Sequence, residues 1–129
     1  MNNQRQQGAA YEEAALRFLQ AGGLWITEHN YRCHFGEIDI IGTEEEEHPV
    51  FGRQKVIVFV EVKYRKDERM GGALAAVGSA KQKTICKVAD YYRMQHHLSE
   101  FDPMRFDVVA IDGDRIKWIK DAFPYQRGR

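Results

Sequence analysis

Asp39, Glu61 and Lys63 are the residues of this chain whose types and spacing can do chemistry together. Side chains alternate along a strand, so Glu61 and Lys63, two apart in "VIVFVEVKYRK", share a face with Ile57 and Phe59, while Val58, Val60 and Val62 take the other. Asp39 stands between Ile38 and Ile40 in "GEIDIIG", on a face with Glu37 and Ile41. A lone carboxylate in such company is costly to bury unless it is paired or bound to a metal. If the two segments pair as antiparallel strands, Asp39 lies beside Glu61, and each carboxylate disfavours the other's ionisation. A cation belongs between them, and either Lys63 or a divalent metal can supply it. Mg2+ takes oxygen ligands and keeps several waters, so two carboxylates, waters and a substrate phosphate make an ordinary shell for it. A neighbouring lysine then orients an attacking water or stabilises charge on phosphorus. The plainer alternative is a solvated strand end with a charged rim.

A fourth carboxylate comes from "AAYEEAALRFLQAGG", where Tyr11, Ala15, Phe18 and Leu19 recur at helical spacing as one apolar face and Gly22–Gly23 mark the stop. Glu12 borders that face and looks towards the sheet. Glu13 lies one turn before Arg17, as a solvent-facing pair.

The elements that must position these groups follow along the chain. "LWITEHNYRC" and "GEIDIIG" read as two strands joined by a tight turn at "HFG". The run Glu44–Glu47 reads as a solvated loop tip that would repel phosphates. The third strand begins apolar on both faces, the pattern of a central strand covered on both sides. A glycine-bearing connection, "KDERMGGALAAVG", leads to a second helix, "SAKQKTICKVADYYRMQHH", with Ser79 and Gln82 as a capping box and Ile85, Val88, Ala89 and Tyr92 as the buried face. "RFDVVAI" and "RIKWI" are two further strands around a "DGD" turn. The order αβββαββ predicts an α/β fold, a mixed five-stranded sheet flanked by helices. The first three strands form a meander, and the fourth lies parallel to the third across the second helix.

With 129 residues the chain is long enough for one self-sufficient domain. We expect that domain over residues 8–123, with 1–7 a disordered tail and 124–129 a C-terminal tail. Hydrophobic residues at 43% and charged ones at 29% fit a soluble globular protein, and the balance of 19 basic against 19 acidic residues argues against a generally cationic surface while allowing a local one. Cys33 and Cys86 are far apart and read as reduced thiols. No zinc-ligand spacing is present, and the adjacent His96 and His97 do not share a helix face. The polar start has no apolar core of a signal peptide and no run reaches membrane-spanning length, so a cytoplasmic location is expected.

"GEIDIIG", "VFVEVKYR", "AVGSAKQK" and "RFDVVAI", with the earlier "YEEAALRFLQAGG" and "NYR", resemble the YraN-like family of small bacterial proteins over nearly the whole chain, about Gly8 to Phe123. That family in turn resembles the restriction-endonuclease-like nucleases, archaeal Holliday-junction resolvases among them. The resemblance implies a restriction-endonuclease-like core and a Mg2+- or Mn2+-dependent nuclease acting on DNA, branched or structured. Asp39 and Glu61 would be metal ligands, with the Val62 carbonyl as an extra one. Lys63 would be the catalytic lysine and Glu12 a direct or water-mediated metal contact. Around the site, Arg65, Lys66 and Arg69 are candidates to hold a phosphate backbone, with solvated loop charges as the plainer alternative; Lys81, on the sheet-facing side of the second helix near its phosphate-attracting N-terminus, is a weaker candidate, an ordinary helix-start lysine being the plainer reading. A homodimer is expected by analogy with resolvases. The long interval between Asp39 and Glu61 departs from the motif, and a long acidic hairpin loop accounts for it. Two other readings remain: a nucleic-acid-binding module without turnover, and a protein-interaction domain in which the cluster is structural.

Overall fold

The computed structural model describes residues 3–65 and 77–127. Helix α1 (Asn3–Ala21) is followed by strands β1 (Trp25–Cys33), β2 (Gly36–His48) and β3 (Gly52–Arg65), helix α2 (Ser79–Gln95), and strands β4 (Met104–Asp112) and β5 (Arg115–Ile119). The sheet order is β1-β2-β3-β4-β5, antiparallel throughout except for the parallel pair β3–β4. This is the expected mixed sheet.

The helices lie on opposite faces of the sheet. Ala15 and Leu19 of α1 pack with Val58, Val60, Val62, Val109 and Ile111, while Ile85, Val88, Ala89 and Tyr92 of α2 pack with Phe59, Phe106, Val108 and Ile41. Strand β3 therefore contributes alternate residues to two cores, which is why its first half is apolar without interruption. Each fully buried Phe or Val there contributes about 1.5–3 kcal/mol.

Local expectations hold in part. Phe18, assigned to the apolar face of α1, is 39% exposed; Leu16 is the partly buried residue instead. The helix also runs back to Asn3, into the segment expected as a tail. The N-cap of α2 is Gly78, without a side-chain cap bond. Ser79 is already helical, and the Gln82 side chain donates to the Val77 carbonyl at 2.9 Å, so no capping box forms.

The largest correction concerns Glu44–Glu47. They are not a loop tip but part of β2, paired residue by residue with Lys55 and its neighbours in β3. Alternation splits the run. Glu45 meets Arg53 at 3.0 Å in solvent, whereas Glu44 is buried and meets Arg105 at 2.8 Å and Lys120 at 3.0 Å. Arg105 also bonds Glu46 and Asp107. Asp107, fully buried, accepts from Arg105, from the Trp118 indole N–H at 2.8 Å and from the Asp121 N–H at 2.9 Å. Cations from β3, β4 and the residue after β5 thus make a run of like charges compatible with a strand.

Tyr125 and Gln126 meet α2: the Tyr125 hydroxyl donates to Asp90 at 2.8 Å and the Gln126 side-chain amide to Gln82 at 2.6 Å.

Candidate active site

The β2–β3 ladder registers Ile40 with Val60 and then stops. One position further, Asp39 and Glu61 face each other where the strands part. The Asp39 carboxylate accepts the Val62 backbone N–H at 2.8 Å, occupying the place of a ladder carbonyl. A strand residue directs its N–H and its C=O at the same neighbour, so the Val62 carbonyl faces the same gap. The Val62 side chain is buried against α1.

Glu61 points to the α2 side of the sheet, in line with Phe59, and is 5% exposed. Its carboxyl is pushed up to about 7 by burial, then by the charge of Asp39, with which it also shares a hydrogen bond; Lys81 and Lys63 pull the other way. Lys63 Nζ lies 3.4 Å and Lys81 Nζ 3.6 Å from Glu61 Oε2. Lys63 reaches Glu61 because the two share a strand face. Lys81 reaches it because α2 begins over the end of β3.

Glu12 approaches from α1. Its carboxyl is raised by burial first and by Asp39 next, and a hydrogen bond from the Asn30 side chain lowers it. Tyr11, the residue before Glu12, stacks on Tyr64, the residue after Lys63, with ring centroids 4.3 Å apart. This contact ties the helix carrying one group to the strand carrying the other.

The structure therefore brings together Asp39, Glu61, Lys63 and Lys81, with Glu12 close enough to Asp39 to respond to its charge. Arg65 ends β3, its side chain undescribed; Lys66 and Arg69 lie outside the described residues. Asn30 was not anticipated. It has φ 55 inside β1, a conformation that Asn tolerates better than most residues, and an Asn in the middle of an otherwise β-rich segment was the available signal. His29, beside it, also acts on Glu12 by its charge.

Two buried-to-half-buried carboxyls side by side, with a third nearby, are the kind of hard-oxygen donor set that a divalent cation retaining waters takes. Among the described residues no group of three or more His, Cys, Asp or Glu side chains converges on one point, so an ion there would rest on the Asp39–Glu61 pair and its own waters. No helix among the described residues is long and apolar enough to cross a membrane, and both cysteines are free thiols.

Fold and cluster together define a mixed α/β protein with a carboxylate–lysine site at the end of its central strand. The chain belongs to the Uncharacterised protein family UPF0102, whose model matches residues 11–111, a span that includes Glu12, Asp39, Glu61, Lys63 and Lys81. It is 40% identical over 126 residues to a UPF0102 protein of Nitrosomonas europaea, covering 95% of this chain and 98% of that one. It is 44% identical over 119 residues to one of Ralstonia nicotianae, covering 90% and 85%. A third, from Aeromonas hydrophila, is 43% identical over 117 residues, covering 90% and 83%. This is the family that the motifs resembled.

Proposed function

We propose that the protein is a Mg2+- or Mn2+-dependent nuclease that hydrolyses phosphodiester bonds in DNA in the cytoplasm. The observation that carries this reading is the Asp39–Glu61 pair, two carboxyls held in contact with Lys63 at 3.4 Å. A cation held there supplies charge neutralisation and an acidified water.

The residues of the chain do the rest. Asp39, locked by the Val62 N–H, and Glu61, held between two lysines, present oxygens in a fixed geometry on a rigid strand. Glu12 adds a carboxylate from the helix side and the Val62 carbonyl a further oxygen. Lys63 orients the attacking water and stabilises charge building on the phosphate oxygens. Lys81, at the start of α2, holds a neighbouring phosphate, with Arg65, Lys66 and Arg69 extending that contact.

The test is cleavage of single-stranded, duplex and four-way DNA with Mn2+ and with Mg2+. Metal-dependent cleavage abolished by Glu61→Ala and Lys63→Ala supports the reading. Absence of cleavage by the wild-type protein, or equal cleavage by the variants, overturns it. A salt-sensitive gel shift without cleavage identifies a binding module instead.

A further inference from the structure

Helix α2 opens with three lysines. Lys81, Lys83 and Lys87 precede its first acidic residue, Asp90. Lys83 is exposed, Lys87 half-buried, and neither forms an ion pair with another described residue. Ammonium groups left unpaired along one helix are phosphate contacts in waiting.

Lys83 and Lys87, one turn apart, form a basic ridge on the helix side away from Lys81, and this ridge runs past the turn between β1 and β2. On its own side Lys81 Nζ is 3.6 Å from Glu61. Further along, Gly36, with φ +151, seats the turn directly on the helix: a β-carbon there would lie 2.8 Å from the Thr84 methyl. Beyond it the His34 ring meets Tyr91 edge-on at 5.5 Å and lies against Phe35 at 4.0 Å. Lys87 stands one turn after Lys83 and one turn before Tyr91, on the side facing this turn.

Phe35 is 46% exposed at the tip of that tight turn. Trp25, Val50, Phe51 and Phe101 are also exposed, but they sit at the opposite ends of the strands from Glu61. The helix from Lys81 to Tyr91 covers about 15 Å, or about four base steps at ~3.4 Å each. An aromatic tip beside a lysine ridge offers a stacking face and phosphate contacts at once. That combination suits a strand whose bases are unpaired, because a duplex keeps its base faces inside and presents phosphates alone.

We propose that the β1–β2 turn and the α2 ridge bind an unpaired DNA strand as it leaves the Asp39–Glu61–Lys63 cluster, with Phe35 stacking on a base and Lys83 and Lys87 pairing with phosphates. This deepens the nuclease reading and rests on it for the identity of the strand as DNA.

Fluorescence anisotropy in EDTA tests the proposal without chemistry, using a labelled single-stranded 20-mer and the duplex of the same sequence. The wild-type protein is expected to bind the single strand more tightly. Phe35→Ala should weaken single-strand binding roughly tenfold and leave duplex binding unchanged, and Phe35→Tyr should restore it. Lys83→Ala with Lys87→Ala should weaken binding to both and lower the slope of log affinity against log salt by roughly 1.4 on the single strand. No single-strand binding by the wild-type protein, or an equal effect of Phe35→Ala on both DNAs, overturns the proposal. If Mn2+-dependent cleavage persists in either case, the ridge alone has failed. If single-strand binding behaves as expected and no DNA is cleaved, the nuclease reading alone has failed.

Discussion

The Asp39 carboxylate accepts the Val62 backbone N–H at 2.8 Å, just past the last β2–β3 pair, Ile40–Val60. A side chain from one strand thus completes the hydrogen bonding of the other and opens the gap in which the site lies.

Removing that acceptor has a structural cost separable from its chemical one. Asp39→Ala leaves the Val62 N–H unpaired and should lower stability by about 1–3 kcal/mol in urea melts. Asp39→Asn keeps an acceptor oxygen, so it should melt within about 1 kcal/mol of the wild-type protein. It should nonetheless lose the calorimetric signal for Mn2+, and full Mn2+ binding by Asp39→Asn would count against the carboxylate as a ligand.

Glu61 makes stability fall with pH. Its carboxyl titrates at about 7 in the folded chain, against 4.5 ordinarily, because burial and Asp39 disfavour its charge. Between those values the folded state keeps a proton that the unfolded state has released, so raising the pH favours unfolding. The loss should begin near pH 4.5, be complete just above pH 7, and reach up to about 3 kcal/mol. Glu61→Gln should flatten this part of the profile and be the more stable protein at pH 8. Mn2+ should raise the stability of the wild-type protein at pH 8 and not that of Glu61→Gln, because cation binding requires the ionised form.

Lys63 and Lys81 both neutralise Glu61, so losing one leaves the other. Lys63→Met should cost less than the ~3–5 kcal/mol of a fully broken buried pair. Mn2+ binding should survive in Lys63→Met while cleavage is lost, and loss of both together would make Lys63 a structural cation.

The Tyr11–Tyr64 stack should matter through its rings. Tyr64→Phe should leave stability and Mn2+ affinity near wild type. Tyr64→Ala should cost about 1 kcal/mol in melts and weaken Mn2+ binding, because it frees α1, and with it Glu12, from the end of β3.

Arg105 serves three carboxylates, so its loss should be the most damaging of these changes to the fold. Arg105→Met leaves Asp107 and Glu44 buried with fewer donors and should lower stability by about 3–5 kcal/mol, with no direct effect on the Asp39–Glu61 pair.

That Asp39, Glu61 and Lys63 cluster was legible from types and alternation. Glu61 and Lys63 share a face because strand side chains alternate, and Asp39 stood out as a carboxylate among isoleucines. The uninterrupted apolar half of β3 marked it as central for the same local reason. Lys81 was ambiguous: its helix position was readable, but its approach to Glu61 depends on where α2 crosses the sheet. Glu44–Glu47 were misread because four like charges repel unless cations answer them. Those cations, Arg105 in β4 and Lys120 just after β5, lie about 60 and 76 residues away in sequence. Asn30 left only the faint signal of an Asn within a β-rich segment, because its value lies in one backbone angle and in a contact with another element.

The sequence by itself determined which residues are amphipathic with which period, and therefore the elements, their order and the face that Glu61 and Lys63 share. Only the tertiary structure decided that β2 and β3 part at Asp39, that two lysines converge on one buried carboxyl, and that an acidic run can be a strand. Periodicity is a property of neighbouring residues, whereas burial and charge compensation are set by groups that meet only when the sheet and its helices have packed.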